Sequence, residues 1–413
     1  MATHYNVRTV TDGLVLALDA ANSKSFDSAE NLLTYSEQFD NVAWSTEFST
    51  FTANSVVSPN GTTTADTFTA SSNTAFVYRT FSASTQTYTF SCFAKAGTAA
   101  SFRLDFVTAS YGLGGSCIFD LSAGTAGTVT FYGSSTGFTA SVQNFSNGWY
   151  RCSISGASTA TTWYPQITLV NSSGNNIYIW GAQLEIGASP ASSYYATSGT
   201  IKTRGTTWTD LSGNGNTGTL TNGPTYNSAN GGSLVFNGST SYINVPNSAN
   251  FAFGSGDLSV EAMIYLTGYS SNWSGYYTAV LATQDGTGGR AWIFQVTGTS
   301  SSWTNLIFGN FTTNVTATQT FSLNTWYHLV VSKIGTSTQL YANGVATGAS
   351  VNVGAIPITT DSLTIGRESV YWSNAGYSYA LPGRLSFARI YKGKGLTASE
   401  VSQNYNALKS RYV

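Results

Sequence analysis

Short segments rich in aromatic and β-branched residues recur along most of the chain, separated by clusters of Ser, Gly and Asn. Apolar and polar residues alternate within these segments, which is the pattern of a β-strand with one buried face. Many short strands divided by turn residues are typical of β-sandwiches and β-barrels. The pattern therefore predicts an all-β protein.

The predicted strands fall into two blocks that meet at residues 199–220. A strand at 13–19 precedes the first block. The strands of the first block are 63–69, 76–81, 86–94, 101–107, 116–120, 128–132, 137–144, 149–156, 163–170 and 176–184. Those of the second block are 233–236, 242–245, 258–266, 278–283, 291–296, 306–310, 326–333, 338–342, 363–366 and 383–391. At 413 residues, the chain is long enough for two or three domains with full cores.

The segment after residue 396 has the pattern of a short C-terminal helix. Thr397 and Glu400 form a capping box, in which the hydroxyl and the carboxylate each bond an unpaired backbone N–H. Val401, Tyr405 and Leu408 then follow at helical spacing. We expect this apolar stripe to pack across a sandwich.

Charged residues make up only 8% of the chain, against ~25% in an average protein, and the formal net charge is −1. Such a surface offers no long-range attraction to phosphate backbones, which argues against nucleic acid as a direct partner.

No apolar run approaches the ~20 residues of a membrane span. The first residues also lack the pattern of a secretory signal, so we expect assembly in a cytoplasm.

The three cysteines, Cys92, Cys117 and Cys152, lie in apolar, strand-like segments. Three cysteines cannot form a disulfide framework, so buried thiols are predicted. A single bridge between Cys92 and Cys152 is the alternative.

The second block resembles a concanavalin A-like jelly-roll domain of the laminin-G-like type. The resemblance covers nearly all of residues 205–413. It is carried by the segments SLVFNGSTSYINVPNSANFAFGSGDLSVEAMIYL, NTWYHLVVSKIGTSTQLYANGVA, SLTIGR and GRLSFARIYKGKGLTASEVSQNYNALKSRY. In that family, a strand such as GLVLALDAANSKSF at 13–26 is often followed directly by a segment such as GTTWTDLSGNGNTGTL at 205–220. Here the two segments are far apart in the sequence.

The residues between them resemble the carbohydrate-binding-module-like sandwiches of bacteriophage tail and head appendage proteins. The matching segments are NLLTYSEQFDNVAWS, YTFSCFAKAG, NGWYRCSIS and IYIWGAQLEIGASPASSYYATSGTIKTR. Trp149 and Trp180, in the last two segments, match family positions that the resemblance implies are in a core. Together the resemblances imply two antiparallel jelly-roll β-sandwiches, one inserted in the other. Residues 1–12 form a lead or anchor segment, residues 13–28 with 205–413 the laminin-G-like sandwich, and residues 29–204 the inserted module. The alternative is a free N-terminal strand followed by two tandem domains.

Carboxylates are too sparse in the second block for glycoside hydrolysis. Retaining glycosidases place two carboxylates ~5–5.5 Å apart beside the scissile bond. The relevant strand offers only Asp257 and Glu261, and the resemblance gives Glu261 a structural position. His328 is interpreted as a strand residue and not as a catalytic base. We therefore expect no enzymatic activity, and a glycoside hydrolase is the least favoured alternative.

Exposed aromatic side chains are the candidate binding residues, because sugar rings stack on Trp and Tyr while neighbouring polar groups bond their hydroxyls. In the first block, Trp163 and Tyr164 are predicted to be exposed. In the second block, the loops 269–277 and 370–379 combine aromatic residues with Ser, Asn and Gly. The candidate glycan-binding or interface residues are Trp163, Tyr164, Trp273, Tyr276, Tyr277, Tyr371, Trp372, Tyr377 and Tyr379. The alternative for the loops is packing between subunits of a homo-oligomer.

The laminin-G-like resemblance also raises the question of calcium, because such domains often bind Ca²⁺ through carboxylate, amide and carbonyl oxygens. The family's acidic FDG-x-DDY motif reads FNGSTSY at residues 236–242 here, without its three acids. The remaining weak candidates are Asp19, Asp210, Asn214 and Asp285. Each of them is alternatively a turn-capping residue.

The resemblance of residues 29–204 implies a virion protein, either a head decoration or a tail or fibre appendage, assembled in the host cytoplasm. Its expected partners are other capsid or tail proteins and host-surface or environmental glycans, bound weakly and multivalently. A purely structural, capsid- or tail-stabilising protein without sugar binding is the alternative.

Overall fold

The structure, a computed structural model, describes residues 8–170, 173–187, 190–269, 271–272, 275–284, 290–309, 313–368 and 379–412. The chain forms two compact units. Unit 1 contains Met1–Asp27 and Gly205–Val413, and unit 2 contains Ser28–Arg204. Both units consist mainly of antiparallel strands, which confirms the all-β prediction.

The strands up to residue 186 are β1 (Leu14–Asp19), β2 (Ser45–Glu47), β3 (Ser49–Val57), β4 (Thr63–Ala70), β5 (Thr74–Tyr78), β6 (Phe81–Ser82), β7 (Thr87–Ala96), β8 (Ser101–Val107), β9 (Gly114–Asp120), β10 (Thr125–Ala126), β11 (Thr130–Tyr132), β12 (Thr139–Asn144), β13 (Trp149–Ala157), β14 (Thr162–Val170) and β15 (Asn176–Ile186). Those after it are β16 (Thr207–Trp208), β17 (Gly218–Thr221), β18 (Thr225–Asn227), β19 (Ser233–Asn237), β20 (Tyr242–Val245), β21 (Leu258–Leu266), β22 (Ser271–Asn272), β23 (Gly275–Gln284), β24 (Arg290–Thr299), β25 (Ser302–Gly309), β26 (Asn314–Phe321), β27 (Trp326–Ile334), β28 (Ser337–Ala342), β29 (Val345–Val351), β30 (Leu363–Ile365) and β31 (Pro382–Lys392).

Unit 2 is a sandwich of two sheets. One sheet, called the β14 sheet below, has the order β10-β9-β8-β14-β5-β2, with β11 beside β9 and β6 beside β14. The other has the order β12-β13-β7-β15-β4-β3. Phe106 and Ile167 of the first sheet share one buried core with Cys92 and Ile179 of the second. The alternating apolar residues of the sequence thus face each other between the sheets.

Unit 1 is also built of two sheets around one core. One has the order β18-β19-β31-β21-β27-β28-β29, and the other β16-β17-β20-β30-β23-β24-β25-β26, with β22 beside β23. Strand β1 pairs with β31, opposite residues such as Phe387 and Ile390, while β19 pairs with the other end of β31. The strand at the N-terminus therefore completes a sheet whose other members come after residue 205, which is the pairing expected from the sequence.

The chain leaves unit 1 and returns to it at adjacent positions. Phe26 forms a β-bridge with Trp208, and the Gly205 N–H donates to the Asp27 carbonyl at 2.8 Å. Within unit 2, Asn31 forms a corresponding bridge with Lys202. Closely spaced chain ends are what a sandwich needs to accept a module in one of its loops.

The helix α1 (Ala398–Leu408) confirms the prediction made from the capping box. The Thr397 hydroxyl accepts from the Glu400 N–H at 3.3 Å, and the Glu400 carboxylate accepts from the Thr397 N–H at 2.8 Å. Val401 and Leu408 are buried, as the helical stripe predicts. Among the described residues, no helix has the length and apolar character needed to cross a membrane.

All three cysteines are free and buried, as predicted. Cys92 on β7 lies opposite Cys152 on β13, and the two thiols are not joined. Trp149 and Trp180 are 1% and 4% exposed, which confirms their assignment to a core.

Several strands lie where none was predicted. The larger examples are β3, β26 and β29, and all three are rich in Ser, Thr and Asn or Gly. In β3 and β29, most side chains are exposed. These two strands therefore lack the apolar alternation that identifies a half-buried strand.

Candidate functional site

A cleft of about 370 Å³ lies on the outer face of the β14 sheet of unit 2. Its volume is within the ~300–1,000 Å³ of small-molecule sites. Aromatic and polar side chains dominate its walls. The lining residues are Glu47, Phe76, Tyr78, Thr108, Ala109, Ser110, Tyr111, Tyr164 and Gln166.

The strand register brings the lining residues together. Gln166 on β14 lies opposite Tyr78 on β5 and opposite Asp105 on β8. Because side chains alternate along a strand, Tyr164 and Gln166 share the outer face, while the intervening neighbours point to the core. The Tyr78 and Tyr164 rings meet edge to face at 5.8 Å, and Phe76 lies 5.8 Å from Tyr78.

A proline opens the sheet beside Tyr164. The Pro165 carbonyl accepts from the Arg79 N–H at 3.2 Å, so its missing N–H faces the same neighbouring strand. That neighbour is interrupted at this point, because β5 ends at Tyr78 and β6 begins only at Phe81. Proline is tolerated in a sheet at such interruptions.

A short turn at residues 108–111 forms another wall. Ser110 and Tyr111 both have left-handed backbone conformations, with φ of 52° and 55°. Such residues cost of order 1–3 kcal/mol each unless their surroundings hold them. Here the Thr108 hydroxyl accepts from the Leu113 N–H at 2.8 Å, and Tyr132 packs 4.9 Å from the Tyr111 ring. The turn is therefore fixed before any ligand arrives.

An ion pair beneath the cleft orients the Tyr111 hydroxyl. The Arg103 guanidinium lies 2.7 Å from Asp105, and its Nη2 donates to the Tyr111 oxygen at 2.7 Å. Asp105 is fully buried and also accepts from the Thr168 hydroxyl at 2.6 Å. Burial alone would lower the pKa of Arg103, but the adjacent Asp105 carboxylate raises it. Burial, with Asp105 nearby, raises the pKa of Tyr111 to about 12.

Gln166 has polar atoms at the cleft that none of the described residues uses. It is 7% exposed, and its amide makes no hydrogen bond to the residues that the structure describes. Its amide atoms are not among the buried polar atoms that lack a partner, so solvent reaches them at the cleft. A ligand that displaces this solvent must form hydrogen bonds with the amide to avoid a free-energy cost. Glu47, on β2, is exposed and is the one acidic side chain among the described lining residues.

Of the aromatic candidates in unit 2, Tyr164 lies in the cleft but Trp163 does not. The prediction that Trp163 is exposed is wrong, since the residue is 0% exposed. Its ring stacks on Phe106 at 4.6 Å, and its Nε1 donates to the Ala160 carbonyl at 3.0 Å. The two residues are adjacent on one strand, so only one of them can face outward.

In unit 1, the structure brings two of the predicted aromatics together. The rings of Tyr277 and Tyr379 meet edge to face at 5.4 Å. Tyr276 is half-buried and packs against the core. The other loop candidates lie outside the described residues: Trp273, Tyr371, Trp372 and Tyr377.

The described calcium candidates are used within the fold. Asp19 forms an ion pair with Arg411 at 2.9 Å, and the Asp210 carboxylate accepts from the Ala17, Ser212 and Asn216 N–H groups. The Asn214 amide donates to the Leu14 carbonyl at 3.3 Å. Asp285 lies outside the described residues. Over the described ranges, no three His, Cys, Asp or Glu side chains are grouped as metal ligands.

Glu261 and His328 lie in a buried polar cluster below α1. Both were considered for a catalytic role from the sequence, which favoured structural positions for them. The His328 Nε2 lies 2.8 Å from the Glu261 carboxylate, and both side chains are 0% exposed. Arg389, Tyr391 and Asn404 complete the cluster, with polar atoms 3.4, 3.1 and 3.1 Å from the same carboxylate. No substrate can reach this carboxylate in the folded chain, so its position is structural.

Sequence reasoning missed most of the cleft. Phe76, Tyr78 and Gln166 each look like an ordinary strand residue, and Tyr111 like a residue of a short connection. They converge because β5, β8 and β14 are neighbours in a particular register. The alternation within TAFVY and TWYPQITLV was the available signal, but it does not say which strands are adjacent.

The two packed antiparallel sheets of unit 1 define a jelly-roll-type β-sandwich of the concanavalin A-like class. Its residues 237–402 match the sequence model of a family described as the concanavalin A-like lectin/glucanases superfamily. This part of the chain is therefore similar to that family, and its concanavalin A-like sandwich fold is the one that the resemblance implied. No curated protein sequence matches the chain.

Solved structures that align with the chain include the following three. Domain 4 of AbnA, an extracellular arabinanase of Geobacillus stearothermophilus in complex with arabinotriose, aligns with 19% identity and a TM-score of 0.37 over 48% of this chain and 92% of its own. The binding domain of botulinum neurotoxin DC aligns with 15% identity and a TM-score of 0.36 over 48% of each chain, so this chain spans about half its length. A putative carbohydrate binding protein from Bacteroides ovatus aligns with 12% identity and a TM-score of 0.32 over 80% of this chain and 79% of its own.

Proposed function

We propose that this protein binds carbohydrate without hydrolysing it, and that the cleft on the β14 sheet of unit 2 is its binding site. The observation that carries the proposal is the unpaired Gln166 amide set among the Tyr78, Tyr164 and Phe76 rings. Sugar rings combine apolar C–H faces with hydroxyls, so they need both aromatic area and oriented polar groups. The cleft offers the two together.

Among its described lining residues, the same cleft lacks the pair of carboxyl groups that hydrolysis requires. Glycosidases use a pair of carboxyl groups, one as acid and one as base or nucleophile, separated by ~5–9.5 Å according to the stereochemical outcome. Glu47 is the one carboxylate among the described lining residues. Asp105 lies beneath the cleft, fully buried and paired with Arg103. A bound glycan would therefore meet no acid–base pair.

Glycan-array screening of the full chain, followed by calorimetric titration of the best ligand, tests the proposal. Tyr164→Ala and Gln166→Ala should each weaken binding about tenfold, since each removes ~1–1.5 kcal/mol of stacking or hydrogen bonding. Tyr195→Ala is the matched control, because Tyr195 is a 42% exposed tyrosine of unit 2 outside the cleft. Absence of any glycan ligand, or equal losses in Tyr164→Ala and Tyr195→Ala, would contradict the proposal.

We further propose that this binding serves adhesion by a virion, where the chain is a head decoration or tail appendage in contact with other virion proteins. The support is the resemblance of residues 29–204 to modules of bacteriophage appendage proteins. Proteomic analysis of purified particles tests this setting, and consistent absence of the chain from particles would refute it. A purely structural role predicts instead a chain that is present in particles and binds no glycan, with Tyr276, Tyr277 and Tyr379 covered by neighbouring subunits.

A further inference from the structure

We infer that the cleft of unit 2 selects uncharged glycans and rejects those that carry carboxylate or sulfate groups. This inference rests on the proposed function, because it concerns the ligand of the same site. It follows from where the charges lie around the cleft.

The first step is the charge of the lining. Glu47 contributes a carboxylate at the rim, and it forms no ion pair with the described residues. No lysine, arginine or histidine is among the described lining residues. An anionic ligand would therefore meet a like charge and no compensating cation, whereas a neutral polyol would find in Glu47 an acceptor for its hydroxyls.

The second step concerns Arg103, a cation that bonds the lining residue Tyr111. Its Nε lies 2.7 Å from the Asp105 carboxylate, and its Nη2 donates to the Tyr111 oxygen at 2.7 Å. Its side chain is 18% exposed, and that of Asp105 is 0% exposed. The positive charge of Arg103 is therefore balanced by Asp105, and its donors already bond residues of the fold. Arg103 cannot pair with a ligand anion without leaving Asp105 unpaired.

The third step is the hydrogen-bonding character of the walls. Because the Tyr111 oxygen accepts from Arg103, its own hydrogen is free to donate toward a ligand. The Gln166 amide offers both a donor and an acceptor. With Glu47 as an acceptor, the cleft presents a mixture of single donors and acceptors, which matches hydroxyl groups. A carboxylate or sulfate accepts only, and it is best bound by a cluster of cationic donors.

Matched neutral and anionic polymers of the same backbone test the inference on the full chain. Suitable pairs are hydroxyethyl- and carboxymethyl-cellulose, dextran and dextran sulfate, and methyl-esterified and de-esterified homogalacturonan. Affinities are measured by calorimetry for the wild type, for Glu47→Gln and for Asp40→Asn. Asp40 is an exposed carboxylate of unit 2 outside this cleft, so its variant removes the same net charge at another place.

The wild type should favour the neutral member of whichever pair it binds. Glu47→Gln should reduce that preference about fourfold, the effect of one like charge at ~5 Å in a water-like dielectric, and Asp40→Asn should leave it unchanged. The preference should also shrink between ~0.1 M and ~1 M salt, where the screening length falls from ~10 Å to ~3 Å.

The outcomes separate the two proposals. Equal or tighter binding of the anionic member, or equal effects of Glu47→Gln and Asp40→Asn, overturns the charge selection while Tyr164-dependent glycan binding still stands. Failure to bind any member of the pairs, together with a silent glycan array, overturns both.

Discussion

Replacing Glu261 with Gln should destabilise unit 1 by about 3 kcal/mol at neutral pH. The Glu261 carboxylate is fully buried on the outer face of its sheet, between β27 and β31 and beneath α1. It faces His328 Nε2 at 2.8 Å, the Arg389 guanidinium at 3.4 Å and the Asn404 amide at 3.1 Å. A glutamine of the same shape would keep the packing, lose the charge, and present an NH₂ group to neighbours that are themselves donors.

The magnitude follows from the pKa of the carboxyl group. Burial alone would raise the pKa of Glu261, but Arg389, His328 and Tyr391 together lower it to about 2. A depression of roughly two units from the ordinary value of ~4.3 corresponds to about 3 kcal/mol of stabilisation of the charged form. Breaking a buried ion pair by removing one partner costs a similar ~3–5 kcal/mol. For a unit of this size, ~2–4 °C per kcal/mol gives a fall in Tm of ~6–12 °C.

The pH dependence supplies a second and independent readout. The pKa of Glu261 is lower in the folded chain than in the unfolded one. The stabilisation that its carboxylate gives to the folded state is therefore complete above pH ~4.3 and disappears as the pH falls toward about 2. The difference in unfolding free energy between the wild type and Glu261→Gln should therefore be constant from pH 7 to pH 5 and should shrink below pH ~4.

Thermal and urea unfolding, followed by circular dichroism at several pH values, measures both effects. Glu47→Gln is the control, because that carboxylate is exposed and its replacement should change stability by less than ~0.5 kcal/mol. A Tm shift for Glu261→Gln below about 2 °C, or one that persists unchanged at pH 3, would refute the reasoning.

Three further predictions concern the framework. Replacing Ser28–Arg204 by a short Gly-Ser linker should leave a soluble unit 1 with a cooperative unfolding transition. The reason is that the Gly205 N–H already bonds the Asp27 carbonyl at 2.8 Å, so the two chain ends are adjacent. A product without a melting transition would contradict this. Arg204→Met should destabilise unit 2 by about 3 kcal/mol, as measured by urea unfolding. Arg204 lies 2.9 Å from Glu185 and 3.3 Å from Glu30, and both glutamates are buried. The control variant Lys202→Met should cost less than half as much. Cys92 and Cys152 should resist thiol reagents in the native protein, because burial raises the pKa of both thiols. Both should react fully in denaturant. Fast labelling of either residue in the native protein would contradict this and show that the core opens.

The fold could be predicted wherever burial imposes alternation. Strand β8 was predicted with its observed bounds, Ser101–Val107; its residues alternate between half-buried and buried as far as Leu104, and the remaining three are all buried. Strand β21 was predicted equally well, since it is buried except at the half-buried Tyr265 and is bounded by turn residues. The predictions failed for β3 and β29, where backbone pairing, and not burial, holds the strand. Pairing partners are distant in sequence, so single-sequence patterns do not identify them.

The cleft was only partly predictable for the same physical reason. Aromatic density pointed to Trp163 and Tyr164, and the structure keeps Tyr164 on the surface and places Trp163 in the core. The remaining walls come from β2, β5 and the turn after β8, which become neighbours only once the sheet has formed. A binding site assembled across a sheet depends on register, and register depends on the whole core.

Trp163 and Tyr164 together show how the core determines the site. The Trp163 ring fills the space beside Phe106 and Phe138, at 4.6 and 6.3 Å, and cannot face outward without leaving a large cavity. Its inward position fixes the phase of β14, so Tyr164 and Gln166 must point to the cleft. Pro165, between them, removes the N–H that would have continued the neighbouring strand, which leaves Tyr164 beside the interruption between β5 and β6. The residue wrongly predicted to bind ligand is therefore the one that positions the residues proposed to bind it.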